Sequence, residues 1–295
     1  MDLTSAYTRF DLGGGRVAIR FQSYSVLVEV QLETPVNPEQ LIPYLPPSLA
    51  TESSEKPDCF YRIENLGKNL SDTELAVRLW RGERCLLERG CVTEGMALFE
   101  DDLALLLATD ERHELTFIHA GVVGINDRVV LIPGTSRSGK STLVTALIAA
   151  GATYFSDEFA VINQEGMIEP YPRHLSLRGE DPDAPGTKVS PASLGAKVAS
   201  SGARLGAVIA TRFECRGNWA GDRLTAGQGA LLMMENAVAA QLAPQRTLKA
   251  ITASLREAVV WQGVRGEASE AVPEIECLLA EKDRVGNGHF GEVER

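Results

Sequence analysis

Residues 128–151 read RVVLIPGTSRSGKSTLVTALIAAG. Val129, Val130, Leu131 and Ile132 form an uncharged run of branched side chains, the pattern of a strand covered on both faces. Pro133 and Gly134 end it, and a loop bounded by glycines follows. Residues 141–150 then place Leu143, Leu147 and Ala150 on one helical face, with Gly151 supplying the left-handed residue that commonly closes a helix. The order strand, loop, helix predicts an α/β fold.

Working outward, 116–119 and 122–123 read as strand, with Asn126-Asp127 as a turn signal before the strand just quoted. Downstream, 152–155 is a short strand that ends on Ser156-Asp157-Glu158. Strand resumes at 159–162, turns at Gln164-Glu165-Gly166 and returns at 167–168. Residues 179–204 are rich in Gly, Pro, Ser and Ala and poor in large apolar groups, which predicts a mobile loop or lid. Strand is expected at 205–213 and helices near 229–240 and 245–261, the second with Leu248, Ile251, Leu255 and Val259 at helical spacing.

The N-terminal end reads differently. Val17, Ile19 and Phe21, then Val26, Val28 and Val30, alternate with period two, which predicts a β-hairpin. Six prolines between 33 and 58 deny the backbone donors that a helix interior or central strand needs, so that stretch is expected to be irregular connection. Residues 95–110 carry a leucine-rich helical pattern. A β-rich N-terminal region over 1–110 and a second domain over 111–295 follow from this organisation.

Charge narrows the partners. The chain has 29 Lys and Arg against 40 Asp and Glu, the reverse of the basic footprint that nucleic-acid binding requires. Residues 1–110 hold 18 acidic and 10 basic side chains and the remainder 22 and 19, so a polyanion fits better on the second part. No nucleic acid and no membrane partner is expected, since no stretch of about 18 apolar residues occurs. Five cysteines without a C-x-x-C pair fit reduced thiols in a cytoplasm rather than a disulfide framework.

The loop carries the chemistry. Gly134, Thr135, Ser136, Arg137, Ser138, Gly139, Lys140 and Ser141 satisfy G-x-x-x-x-G-K-[ST], followed by Thr142 in the first helical turn, and the flanking strand and helix are the context this P-loop motif demands. Backbone N–H groups cradle phosphates there, and the helix N-terminus adds partial positive charge. Lys140 reaches the outer phosphates and the Ser141 hydroxyl ligates magnesium. Asp157 and Glu158, 17 and 18 residues after Lys140, offer one carboxylate for a metal and one for an attacking hydroxyl. The spacing leaves open which acid does which. His119 lies one hairpin upstream, where it can orient a carboxylate. Arg173, His174 and Arg178 are candidates for phosphate or acceptor contacts.

Residues 119–162 resemble the catalytic core of HPr kinase/phosphorylase and the HPr-kinase-like serine kinases. The match rests on His119, the phosphate loop, the helix closed by glycine and the strand ending on Asp157 and Glu158, and it implies Asp157 as base with Glu158, beside Ser141, for the metal. Arg137 stands where that family usually has glycine, and a Glu-Ile-Arg-Gly-Leu-Gly stretch is absent. PYPRHLSLR at 170–178 resembles instead divergent kinases of peptide-modification clusters, some of which phosphorylate lasso peptides. The resemblance implies a P-loop kinase core of the HPr kinase / PEP carboxykinase type with a mixed sheet, ATP or another nucleoside phosphate and magnesium as cofactors, and a homo-oligomer. It implies transfer to a serine-type hydroxyl of a peptide, protein or small-molecule acceptor. A nucleotide-binding regulatory or assembly module is the competing expectation. The Leu-Ser-Gly-Gly-Gln and Asn-Lys-x-Asp strings of ABC-type ATPases and GTPases are absent.

Overall fold

A computed structural model describes residues 7–51, 55–68, 75–134, 138–177 and 186–286. The chain divides into two compact units, 1–113 and 114–295.

The first unit contains β1 (Thr8–Gly13), β2 (Arg16–Ser23), β3 (Val26–Glu33), α1 (Pro38–Leu41), β4 (Leu49–Ala50), β5 (Cys59–Lys68), β6 (Leu75–Arg81), β7 (Arg84–Cys91) and α2 (Val92–Thr109). The expected hairpin is β2–β3, turning at Tyr24 and Ser25. Among the described residues its sheet has seven strands, and β3–β5 is the parallel pairing. The proline-rich connection holds one short helix, whose N-cap Asn37 forms a reciprocal capping box with Gln40. Helix α2 buries Met96, Phe99, Leu103 and Leu107 at helical spacing. Its Phe99 meets the ring of Tyr61 edge-on, with centroids 4.8 Å apart.

The second unit contains β8 (Thr116–Ile125), β9 (Arg128–Pro133), α3 (Lys140–Ala149), β10 (Thr153–Ser156), β11 (Phe159–Ile162), β12 (Met167–Glu169), β13 (Leu175–Leu177), β14 (Thr187–Val189), β15 (Ala203–Phe213), β16 (Ala220–Leu224), α4 (Ala226–Glu235), α5 (Pro244–Ser254), β17 (Val259–Arg265) and α6 (Ala268–Gly286). It is a mixed α/β arrangement. Strand β8 pairs antiparallel with β9 along one edge, and along the other with β11 through its first half and β10 through its second. Strand β15 lies parallel to β9 and β17 and meets β12 antiparallel at its start. The ladders β8–β9–β15–β12–β11 therefore close on themselves.

Alternation along β9 sorts its side chains into two cores. Val130 and Ile132 pack with Leu143, Val144, Leu147 and Ile148 of α3 and with Val272 and Ile275 of α6. Val129 and Leu131 pack with Ala230 and Met233 of α4 and Ala250 and Ile251 of α5. Each Val, Leu, Ile or Met side chain so buried stabilises the fold by about 1.5–3 kcal/mol. At Gly121 of β8 a Cβ would lie 2.5 Å from Val144 Cγ2, so the missing side chain lets α3 sit close on the sheet.

Three expectations need correction. Ala150 is exposed; the apolar face of α3 continues through Val144 and Ile148 instead. The helix expected over 245–261 ends at Ser254, Leu248 is exposed, and Val259 begins β17, where Val-Val-Trp meets β15 in register. Of the expected lid, 179–185 lie outside the described residues, while 186–204 are pinned. There β14 pairs with β13, and Tyr154 bonds through its backbone to Lys197 and Ala199. Among the described residues, no helix is long and apolar enough to cross a membrane.

Candidate functional site

Strand β9 delivers the chain to Gly134, whose N–H donates to the carbonyl of His119 at 3.4 Å. Thr135, Ser136 and Arg137 lie outside the described residues, as does Arg178. Gly139 caps α3 in the left-handed region at φ 83°, where a side chain would be strained. Its side-chain-free cap leaves the first-turn N–H groups of Lys140, Ser141 and Thr142 without intrahelical acceptors, the arrangement that suits an anion. Lys140 is buried against the loop, Ser141 is half-buried and Thr142 is exposed.

The paired acids occupy a two-residue bend where β10 passes into β11, both along the same edge of β8, one step after a register slip between Tyr154 and Ser156. Ser156 holds that bend by accepting from the N–H groups of Glu158 and Phe159 at 3.3 and 3.1 Å. The bend interrupts the strand, and the charge of Lys140 acts on both carboxyl groups.

Asp157 is 3% exposed. Its Oδ2 accepts from the Ser141 hydroxyl at 2.8 Å and from the N–H of Ser176 at 3.4 Å. Its Oδ1 is buried without a hydrogen-bond partner among the described residues, as is Oγ of Ser138. Burial, reinforced by the charge of Glu158, pushes the Asp157 carboxyl up to about 7 against the pull of Ser141, Ser176 and Lys140.

Glu158 differs in every respect. Its side chain is 41% exposed, with Oε1 3.7 Å from Nδ1 of His119. Desolvation raises its pKa, but His119, Lys140 and Lys188 outweigh that and hold it below the usual carboxylate range. The His119 ring leans on Phe159 at 4.8 Å, across the register that pairs these residues.

Ser141 therefore meets Asp157, rather than the Glu158 with which it was grouped from sequence. Arg173 is 5% exposed, with its guanidinium over the rings of Phe159 and Tyr171, 5.8 Å from each. It backs the acid-bearing bend from inside the core, a placement unlike that of a surface contact for an acceptor. Burial pulls it down to about 9, and burial with the charges of Lys188 and Arg173 lowers His174.

Three contributors escaped sequence reasoning. Ser176 and Lys188 face each other across β13–β14 and act on the two acids, Ser176 through its N–H and Lys188 through its charge. Arg265, at the end of β17, donates from Nη2 to the carbonyl of Gly139 at 3.1 Å. Nothing local in the sequence marks any of them.

The donor set fits a magnesium–phosphate group. A hydroxyl and a buried carboxylate share one hydrogen bond, an orphaned oxygen remains on the carboxylate, and a lysine stands at the helix start. Among the described residues, no group of three or more His, Cys, Asp or Glu side chains stands ready to hold a metal. Magnesium ordinarily takes one or two protein oxygens plus phosphates and water. No protein-family model and no curated protein matches the chain.

Proposed function

We propose that the chain is a magnesium-dependent P-loop phosphotransferase, moving a phosphoryl group from a nucleotide, ATP foremost, to a hydroxyl of a peptide, protein or small metabolite. The observation that carries this reading is the 2.8 Å bond between Ser141 and Asp157. It joins the G-K-S start of α3 to Asp157 beyond β10 and, among the described residues, leaves Oδ1 of Asp157 unpartnered.

Geometry also favours an exchange of the two acids' expected roles. Magnesium with its phosphates would be held by Ser141 and Asp157 and would neutralise charge on the transferred group. Lys140 pairs with the outer phosphates. Glu158 is the acid with exposed surface and an imidazole neighbour, and it takes the proton of the acceptor hydroxyl as that oxygen bonds to the terminal phosphorus and the bond from phosphorus to the departing nucleoside diphosphate breaks. The resemblance of 119–162 to the HPr-kinase-like serine kinases supports a serine-type hydroxyl as acceptor.

The test is nucleotide turnover with and without candidate hydroxyl peptides, read by mass spectrometry. Magnesium-dependent transfer of one phosphate to the peptide is the expected result. Tight nucleotide binding with no acceptor-dependent turnover across a broad peptide and metabolite panel would favour a regulatory module instead.

A further inference from the structure

We propose that Arg265 is a positioning residue for the phosphate loop, an inference that rests on the phosphotransferase reading above. Arg265 is 2% exposed, among the largest fully buried side chains of the chain. Its guanidinium lies over the ring of Phe213 at 5.5 Å. Nη1 donates to the carbonyl of Gly266 at 2.9 Å and Nη2 to that of Gly139 at 3.1 Å. Among the described residues Nε is buried without a hydrogen-bond partner and Arg265 makes no direct ion pair, the carboxylate of Glu267 acting on it only at longer range, and burying a charge without a direct partner is costly. A position of this kind needs a use.

The use follows from the peptide it holds. The Gly139 carbonyl also accepts the first helical bond, from the N–H of Leu143 at 3.1 Å, so both of its lone pairs are engaged. A trans peptide directs its N–H opposite to its carbonyl. Fixing the Gly139 carbonyl therefore aims the N–H of Lys140 out of the helix N-terminus, toward the phosphate side. The glycine is required twice over. Its φ is left-handed, and a Cβ there would lie 2.7 Å from Nη2 of Arg265. Arg265 thus sets the direction of a loop N–H and adds a fixed positive charge behind it, without touching the nucleotide. The ligand class served is a polyphosphate, whether nucleotide-borne or inorganic.

The experiment compares wild type, K140M, R265K and R265M by calorimetric titration with MgATP and with magnesium pyrophosphate, alongside thermal melting. R265M is expected to weaken both ligands about tenfold or more, and R265K about threefold, since the ammonium keeps the charge and one donor. A merely structural arginine would lower melting in R265M and leave the affinities within twofold, which overturns the proposal. Should R265M not fold, R265K decides: affinity weakened at an unchanged melting temperature supports the proposal, and wild-type affinity refutes it. Wild type that binds neither ligand sinks the phosphotransferase reading and this inference together. Binding lost in K140M but intact in R265M removes only the role of Arg265.

Discussion

Replacing Asp157 by asparagine exposes what the burial of this carboxyl costs. In the unfolded chain the group loses its proton near the ordinary value of 3.8, whereas in the fold it does so at about 7. Between those values the folded protein holds a proton that the unfolded chain does not. The sign follows: this contribution to stability is complete below about pH 4, falls by about 1.4 kcal/mol per pH unit, and is exhausted above pH 7. The whole loss is about 4 kcal/mol, of which about 3 kcal/mol lies between pH 5 and 8. Asparagine is isosteric and does not ionise, so the stability of D157N relative to wild type should climb with pH by that amount and level off near 7. Titrating groups that do not interact with Asp157 cancel in the difference, and Glu158, which does, is held below the usual carboxylate range and stays ionised across pH 5 to 8.

Urea unfolding in magnesium-free, nucleotide-free buffer at several pH values measures this. Trp219 and Trp261, stacked with centroids 3.8 Å apart in the same unit, supply the fluorescence signal in a W80F background. A D157N-minus-wild-type difference constant within about 1 kcal/mol from pH 5 to 8 would refute the reasoning, because a desolvated carboxyl must show linkage of this size. A rise that levels off near pH 5 instead of 7 would mean that the folded carboxyl is largely solvated and that its orphaned Oδ1 is reached by water.

Three further outcomes are expected. K140M, which keeps the buried stem of a side chain only 8% exposed, should abolish nucleotide binding while circular dichroism stays native; retained MgATP affinity would remove the phosphate-loop assignment. D157N should weaken MgATP by tenfold or more, about 1.4 kcal/mol, whereas E158Q should keep affinity within about threefold and slow transfer by about 10²-fold or more. The opposite pattern in titration and single-turnover kinetics would restore Asp157 as base. In the first unit, Tyr61 is buried and donates to Oδ2 of Asp102 at 2.7 Å, beside Arg81 at 3.0 Å. Y61F should lower that unit's stability by about 1–3 kcal/mol, the worth of a hydrogen bond to a charged acceptor, and unchanged urea midpoints would contradict this.

The sequence was most legible where one element explains itself. Val129 to Ile132 are uncharged because both faces of β9 are covered, and Asn126 and Asp127 turn the chain with φ of 47° and 61°, so strand, turn and helix could each be read locally. The helix extended through Val259 fails for a physical reason. Ile251 and Leu255 do lie on a buried face, and the next apolar residue falls at helical spacing by coincidence, yet Val259, Val260 and Trp261 gain more from ladder partners on β15 than from another turn. Partners supplied from 52 positions away, as at Ala207 and Val259, leave no trace in a local period. The region after 186 was misjudged likewise. Its small residues bury little by themselves, but Leu194, Ala196 and Val198 pack against a core built elsewhere.

The same distinction governs the site. Asp157 and Glu158 could be picked out as candidates from their place after a short strand, but which one meets the start of α3 depends on the bend that Ser156 holds and on the Ser141 hydroxyl 16 residues earlier. Adjacent carboxyl groups of nearly equal intrinsic acidity are pushed apart by surroundings alone: one desolvated and raised, the other exposed beside cationic and imidazole neighbours and lowered. Those surroundings come from β8, α3 and the β13–β14 pair together. Arg265 marks the limit of this, since its contact with Gly139 spans 126 residues and exists only because β17 lies parallel to β15, which lies parallel to β9. A residue's chemistry can be read from its type, but its assignment between two adjacent acids is a property of the ladder register, and that register is what the D157N and E158Q pair interrogates.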